Sequence, residues 1–340
     1  MNAFRSFLLG VSVSAVCWVS CQEEKSPAVS DFELGVGGAD TVNLSSDSLV
    51  LDADSDALVL SLTPTVNSLP VYYAERSGIF RALNVKVKLR TYRSQFDCDT
   101  AFLGSTAIGG VSDLVRLHYY ADAGNSLKAV SATDGTWHLM ASRKLRLKRT
   151  VQLKNRMVSV ARFSASDACS ENVLKKVGLT YLDVFRPQVN DYYLRAAMLD
   201  NNQIDAAMLP EPFATAARLS GHPELGREQK DTLQLGCLIF KSRLLAVADS
   251  VALVKKIMQG YNRAVDEINQ KGVEACRKIL YEDYRLPARV ADSLRLPVYR
   301  KAVMPSATDV EAARAFLIDK GKWQAEKSSS VLLDSRCLPQ

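Results

Sequence analysis

Residues 196–213 have the sequence AAMLDNNQIDAAMLPEPF, and this segment decides the fold class. It runs from the end of a helix through a polar turn at residues 200–203 into a short apolar strand at residues 204–209, and Pro212 suits the first turn of another helix. A helix, a strand and a helix in this order indicate an α/β fold, which binds ligands beyond the carboxyl ends of its strands. Glu211 stands at such an end, so it is either a ligand-facing residue or part of an ordinary strand-to-helix connection.

Strands and helices alternate on both sides of this segment, as they do in mostly parallel sheets. A chain of 340 residues is long enough for two lobes of this kind. Strands are expected at residues 58–62, 85–89, 107–111, 129–132, 138–141, 157–161, 184–189 and 233–240, with residues 48–51 forming a hairpin with the first strand. Helices are expected at residues 70–77, 96–103, 168–177, 192–198, 251–270, 273–281, 287–294 and 309–320, and a capped helix start at residues 112–114.

The overall composition argues against nucleic acid as a partner. Hydrophobic residues make up 47% of the chain and charged residues 24%, as in soluble globular proteins. The formal net charge of +6 is spread along the chain, and the basic run at residues 143–149 alternates with apolar residues, as one solvated face of a strand or turn does. Because no nucleic-acid-binding motif accompanies the charge, we expect no nucleic acid partner.

No pattern for catalysis or for a metal is evident in the sequence. The chain has only three histidines, His118, His138 and His222, and it contains neither a GxGxxG nor a GxxxxGK[ST] phosphate-binding loop. Its seven cysteines include no CxxC pair and no zinc spacing. We therefore expect a protein that is not an enzyme and has no cofactor or metal. The cysteines beyond the N-terminus are expected to be small buried hydrophobic residues, with any pairing left open: Cys98, Cys169, Cys237, Cys276 and Cys337.

The N-terminus predicts export. Arg5 precedes an apolar run at residues 7–19 that is short for a membrane span, and Ser20 follows it, as in a secretory signal. Cys21 directly after the small residue is similar to a bacterial lipoprotein cleavage site, so we expect lipidation of Cys21 and attachment to a bacterial membrane surface. The alternative is a simple export signal cleaved near Ser20.

Four segments together resemble a known family. Residues 69–80, LPVYYAERSGIF, are similar to a Pro-started first helix, and residues 85–87 to the strand after it. Residues 152–156, QLKNR, stand where the family approaches its second lobe, with Asn155 in place of a glycine, and residues 196–213 are similar to that lobe's Ile-Asp-Ala strand and Glu-Pro helix start. In this order, over about residues 58–322, the chain resembles the periplasmic solute-binding proteins of ABC importers for nitrate, alkyl sulfonates, taurine and thiamine-precursor pyrimidines.

The resemblance implies a two-lobed periplasmic-binding-protein fold of type II, with two crossover strands and a ligand cleft that closes by a hinge motion. Its boundaries would be a signal peptide at 1–20, a lipid-anchored tether and edge hairpin at 21–57, lobe one at 58–131 plus 236–340, and lobe two at 132–235. The implied partners are a small polar solute, such as a thiamine-precursor pyrimidine, an amine or a sulfonate, and the transmembrane subunits of an ABC permease. The alternatives are a sensing or interaction lipoprotein and, less favoured, an enzyme like the pyrimidine synthase of the same fold.

The loops after the predicted strands supply the candidate ligand residues. They are Asn67, Ser68, Tyr72, Arg93, Ser112, Asp113, Trp137, Ser164, Ser166, Asp191, Tyr192 and Glu211. The serines and Asn67 equally suit helix caps, and Trp137 equally suits a core position. Carboxylates stand at four predicted helix starts, namely Asp113, Asp167, Asp191 and Glu211. They are either dipole partners or cleft residues, and in the second case they favour a neutral or cationic solute, unless Arg93 and Arg162 compensate for them.

Overall fold

The computed structural model describes residues 57–228 and 233–339, which form two mixed β-sheets flanked by helices. In chain order the strands are β1 (Leu58–Leu62), β2 (Val87–Thr91), β3 (Gly109–Asp113), β4 (Leu127–Ala132), β5 (Trp137–Ala141), β6 (Val158–Ser159), β7 (Ala206–Pro210), β8 (Glu224–Glu228) and β9 (Gly236–Lys241). The helices are α1 (Leu69–Arg76), α2 (Ile79–Ala82), α3 (Gln95–Leu103), α4 (Leu114–Asp122), α5 (Ala165–Lys175), α6 (Tyr192–Asp200), α7 (Phe213–Leu219), α8 (Ala248–Lys271), α9 (Arg277–Glu282), α10 (Ala288–Ser293) and α11 (Ala307–Asp319).

The first sheet has the strand order β2-β1-β3-β9-β4. β1 pairs in parallel with β2 and β3, and β9 runs antiparallel to its neighbours β3 and β4. Every residue of β1 is buried, as is typical of a strand with both sheet faces covered. Gly110 allows β3 to approach β1 closely, because a Cβ atom at this position would lie 2.1 Å from the carbonyl oxygen of Ser61.

The second sheet has the order β6-β7-β5-β8. β6 and β7 are parallel, and β5 runs antiparallel to both β7 and β8. In each sheet one strand therefore opposes the others, and the predicted fold class of mostly parallel sheets flanked by helices is confirmed.

Two connections join the sheets. The chain leaves the first sheet after Ala132 and enters the second at Trp137. It leaves the second sheet after β8 and rejoins the first at β9, and residues 229–232 between these strands lie outside the described part. A later segment braces the first connection, since Arg300 Nε donates to Asp134 Oδ1 at 2.8 Å.

Strand alternation divides the core between the sheet faces. In β5 and β7, Leu139 and Met208 belong to a large cluster shared with the helices of the first sheet, including Phe102 of α3. Their neighbours Met140 and Leu209 face the opposite side and pack with α6 and α7. The five cysteines of the described residues are free and buried: Cys98, Cys169, Cys237, Cys276 and Cys337.

Three sequence predictions about elements need correction. Residues 184–189 form no strand but only two isolated bridges, one of them between Met157 and Phe185, because Pro187 lacks the N–H group that a ladder needs. The edge strand β8 was not predicted, since its sequence ELGRE lacks the apolar alternation of a strand. The predicted helix at residues 273–281 divides into a 3-10 turn at Gly272–Cys276 and α9.

Within residues 57–228 and 233–339 no helix combines the length and the apolar character needed to cross a membrane. The predictions of a signal peptide at 1–20, lipidation of Cys21, most of the tether at 21–57 and the hairpin strand at 48–51 lie outside the described residues.

Candidate functional site

A small cavity lies where the carboxyl ends of strands in both sheets meet the starts of α5 and α6. Its volume is about 20 Å³, which is room for roughly one water molecule. The lining residues are Thr65, Asn67, Gln95, Val111, Ser112, Asp113, Trp137, Ala165, Tyr192, Pro210 and Gly236. We call this cavity the cleft. Because its walls come from both sheets, opening at the two connections would enlarge it.

Asp113 lies at the end of β3 and lines the cleft together with Ala165, the first residue of α5. It caps α4, with its Oδ1 atom accepting the Arg116 backbone N–H at 2.9 Å. Burial raises the pKa of this carboxyl, while the Arg116 charge and the hydrogen bond from the Arg116 backbone oppose the rise. Asp113 therefore places a carboxyl group of the first sheet beside a helix of the second.

A buried polar network lies behind Asp113. Asp99 of α3 accepts hydrogen bonds from Gln95 at 2.7 Å and Ser112 at 2.8 Å, and its Oδ2 lies 3.3 Å from Arg116 Nη1. Complete burial raises the pKa of Asp99 to about 7, although the Arg116 charge and the two hydrogen bonds lower it. The polar groups of Gln95 and Ser112 are thereby held in fixed positions at the cleft wall.

Asn67 lies beside the first connection and the start of β9. A Cβ atom at Gly135 would fall 1.8 Å from Asn67 Oδ1, and one at Gly236 would fall 2.5 Å from Asn67 Nδ2. The carboxamide of Asn67 therefore rests against the backbone of Gly135 in the first connection and of Gly236 at the start of β9, and only glycine leaves room for it.

Aromatic rings form the wall on the side of the second sheet. The Trp137 and Tyr192 rings meet edge to face with centroids 6.3 Å apart, and Tyr192 in turn packs against Phe213 at 5.6 Å. Behind Tyr192, the buried Arg195 donates to the carbonyl oxygens of Val189 and Met208. A flat or apolar part of a solute could pack against Trp137 and Tyr192.

Contacts on one side of the cleft hold its walls together. Val66 N donates to the Glu211 carbonyl oxygen at 3.1 Å, and Tyr192 N donates to the Arg93 carbonyl oxygen at 3.3 Å. The Arg93 side chain forms a salt bridge with Asp191, with Nε 2.6 Å from Oδ2. We call the Arg93–Asp191 pair the latch.

Comparison with solved structures identifies proteins of the same architecture. The alkanesulfonate-binding protein SsuA from Xanthomonas axonopodis pv. citri, bound to MOPS, matches with a TM-score of 0.71 and 18% identity over 82% of this chain and 98% of that chain. The periplasmic nitrate-binding protein NrtA from Synechocystis PCC 6803 matches with a TM-score of 0.68 and 11% identity over 83% and 86%. This chain has the periplasmic binding protein fold. The predicted resemblance is thus confirmed at the level of the fold.

The periplasmic binding protein fold also includes enzymes. The desulfurization enzyme DSZB matches with a TM-score of 0.56 and 12% identity, over 78% of this chain and 93% of that chain. No protein-family model matches the chain, and no curated protein matches its sequence. The fold alone therefore leaves the activity to be argued from the cleft.

Within this periplasmic binding protein fold, the structure brings five of the predicted site residues to the cleft. They are Asn67, Ser112, Asp113, Trp137 and Tyr192. The others serve different contacts. Tyr72 lines another cavity and bonds Thr91 at 2.6 Å, whereas the Ser164 and Ser166 hydroxyls are used within the loop before α5. Ser68 precedes α1 without capping it, and its buried hydroxyl has no hydrogen-bond partner.

Glu211 projects its side chain away from the cleft, into a neighbouring cavity of about 550 Å³. Its Oε2 accepts the Thr215 backbone N–H at 2.9 Å, and its Oε1 pairs with Arg218 and lies 3.4 Å from His138 Nε2. Glu224 joins the same cluster. Burial would raise the pKa of Glu224, but the hydrogen bond from His138 and the charges around it lower that pKa to about 2.

Sequence reasoning did not select Gln95, Asp99, Arg116 or Gly236 as site residues. Gln95 lies in the loop predicted after the strand at residues 85–89, so the rule that loops after strands supply ligand residues could have identified it. Asp99 and Arg116 lie inside helices α3 and α4, and nothing in the sequence indicates that they pair with each other. The need for glycine at position 236 depends on Asn67, which is distant in sequence.

Proposed function

We propose that this chain is an exported solute-binding protein that encloses a small polar solute between two lobes and delivers it to an ABC permease. The observation that carries the proposal is the meeting of Asn67, Ser112 and Asp113 from one side with Trp137 and Tyr192 from the other in one closed cleft. Convergent hydrogen-bonding groups with an aromatic wall are what a small polar ligand requires. The fold shared with sulfonate- and nitrate-binding proteins supports the same proposal.

The proposal includes the lobe boundaries and the location. Lobe one would comprise residues 58–131 plus 236–340 and lobe two residues 132–235, so that each carries one of the two sheets. Cys21 would carry the lipid anchor on the outer face of a bacterial membrane or in the periplasm. Cys21→Ser should move the protein from the membrane fraction to the soluble fraction, whereas the control Cys17→Ser should leave it in the membrane fraction. Retention of Cys21→Ser on membranes would contradict lipid anchoring at this cysteine.

Ligand-dependent melting of the purified chain tests solute binding. The panel would contain pyrimidines, amines, sulfonates and nitrate, and the control would be Trp137→Ala, which removes part of the aromatic wall. A true ligand at 100 times its Kd should stabilise the folded chain by about 2.7 kcal/mol. The absence of any shift in folded protein would argue against solute transport and favour the sensing role.

An enzymatic role lacks support at the cleft. None of His118, His138 and His222 is among the residues that line it. His118 Nε2 instead contacts Ser329, and His222 Nε2 contacts Asp200. Ligand melting tests binding and does not detect catalysis. Turnover of the same panel of solutes should therefore be measured in parallel.

A further inference from the structure

We propose that Asp113 sets the charge of the solute, so that the cleft accepts a cationic amino group and excludes sulfonate or nitrate anions. This inference rests on the proposed function as a solute-binding protein. It follows from the Asp113 carboxylate lining the same cavity as Ala165, the first residue of α5, where the positive end of a helix would otherwise attract an anion.

Of the four carboxylates that the sequence predicts at helix starts, only Asp113 lines the cleft. Asp167 pairs with Arg186, Asp191 pairs with Arg93, and Glu211 pairs with Arg218 outside it. Asp113 is 5% exposed, and it is the only charged side chain among the described residues that line the cavity. The charge that a solute meets in the cleft is therefore negative.

The first turn of α5 uses most of its donors within the protein. The backbone N–H of Ser166 bonds Ser164 Oγ at 3.2 Å. The next two N–H groups, of Asp167 and Ala168, both donate to the Ser164 carbonyl oxygen at 3.0 and 3.1 Å. Ala165, the first residue of the helix, lines the same cavity as the Asp113 carboxylate, so an anion at this helix start would meet a like charge.

The cations near the cleft lie outside its lining. Arg116 Nε is 3.9 Å from Asp113, and Arg116 Nη1 is 3.3 Å from Asp99. Arg195 lies behind Tyr192 and donates to backbone carbonyl oxygens. Neither guanidinium lines the cavity. A solute ammonium group would find Asp113 as a charge-assisted acceptor, whereas a sulfonate would face it as a like charge.

Two probes of equal chain length and opposite charge test the inference: butylamine and butanesulfonate, titrated calorimetrically at pH 7 and fixed ionic strength. Asp113→Ser removes the carboxylate, keeps a capping hydroxyl for α4 and exposes the start of α5. We expect butanesulfonate to bind Asp113→Ser at least tenfold more tightly than the unmodified chain, and butylamine, where it binds, at least tenfold more weakly. The matched control is Asp97→Asn, which removes an exposed carboxylate of α3 outside the cleft and should leave both affinities unchanged.

Equal butanesulfonate affinities in the unmodified chain and Asp113→Ser would overturn the inference. If circular dichroism finds Asp113→Ser unfolded, Asp113→Asn keeps both the cap and the side-chain shape and should give the same direction of change. Failure of the unmodified chain to bind any small solute would contradict the proposed function. In that case, a gain of butanesulfonate binding in Asp113→Ser would still show that Asp113 excludes anions. Failure of the proposed function and failure of this inference are therefore distinguishable.

Discussion

Arg93 Nε lies 2.6 Å from Asp191 Oδ2, and this salt bridge joins the loop after β2 to the start of α6 on one side of the cleft. The Arg93 guanidinium also lies over the Tyr193 ring, 4.8 Å from its centroid. Both members of the latch were expected to face a solute, and instead they bind each other. Their pairing raises the pKa of Arg93, with the hydrogen bond from Arg93 to Asp191 as the main cause.

Arg93→Ala should shift the chain toward an open cleft. The Arg93 side chain is 66% exposed, so the latch should contribute only about 0.2–1 kcal/mol, or roughly a 1.4- to 5-fold change in the open-to-closed ratio. Small-angle scattering should detect an increased radius of gyration, and added salt should produce part of the same effect in the unmodified chain. Arg90→Ala, on the preceding strand β2 and outside the latch, is the control. An unchanged scattering profile for Arg93→Ala would show that the latch does not hold the lobes.

Gly135→Ala should displace the Asn67 side chain and lower the unfolding free energy only modestly. The added Cβ atom would meet the Asn67 carboxamide, which can rotate away, so the expected loss of unfolding free energy is about 1 kcal/mol. Gly110→Ala should cost more, because its Cβ atom would meet the backbone of Ser61, which cannot rotate away. Urea denaturation measures both variants. Adding Asn67→Ala should restore the stability of Gly135→Ala but not that of Gly110→Ala. An equal effect of Asn67→Ala on both variants would contradict the contact between position 135 and Asn67.

Asp99 should make the chain less stable as pH rises. Burial raises its pKa to about 7 in the folded chain, above the value of about 3.9 for an unfolded aspartate. The folded state therefore holds a proton that the unfolded state has lost between about pH 4 and 7, and stability falls across that window by up to roughly 1.4 kcal/mol per pH unit from this group. Urea denaturation at pH 4.5, 5.5 and 6.5 should give a flatter profile for Asp99→Asn than for the unmodified chain. The exposed control Asp97→Asn should keep the original slope, and parallel profiles for all three proteins would contradict the assignment.

Glu211→Ala should lower the stability of the second sheet and its helix α7, without a direct effect on solute binding. The change removes the acceptor of the Thr215 N–H and one carboxylate partner of Arg218, at a cost of about 1–3 kcal/mol. Glu211→Gln keeps an acceptor for Thr215 and should lose less. Denaturation gives the stability, and titration of a ligand found by melting gives the Kd. A weaker Kd at unchanged stability would instead place Glu211 in contact with the solute.

Local sequence patterns predicted most of the helices and strands. The strand at residues 204–209 and the helix after Pro212 correspond to β7 and α7. The prediction of a strand at residues 184–189 was wrong, because Pro187 interrupts backbone pairing despite the apolar residues around it. For the cleft, the loops after strands identified Asn67, Ser112 and Tyr192, since strand ends meet at one edge of a sheet. Which side chain of each loop faces the cleft was not predictable, because pairing with distant residues decides it.

The sequence by itself determined the α/β class, the order of the elements and the set of polar loops, because hydrophobic periodicity, Pro and Gly act over a few residues. The tertiary structure decided which of the similar carboxylates lines the cleft. Glu211 and Asp191 stand at helix starts just as Asp113 does, yet Arg218 and Arg93 neutralise them outside the cleft. Asp113 instead lines the cleft together with Ala165, because the end of β3 and the start of α5 meet there, and a contact between elements this far apart in sequence is fixed only by the folded chain.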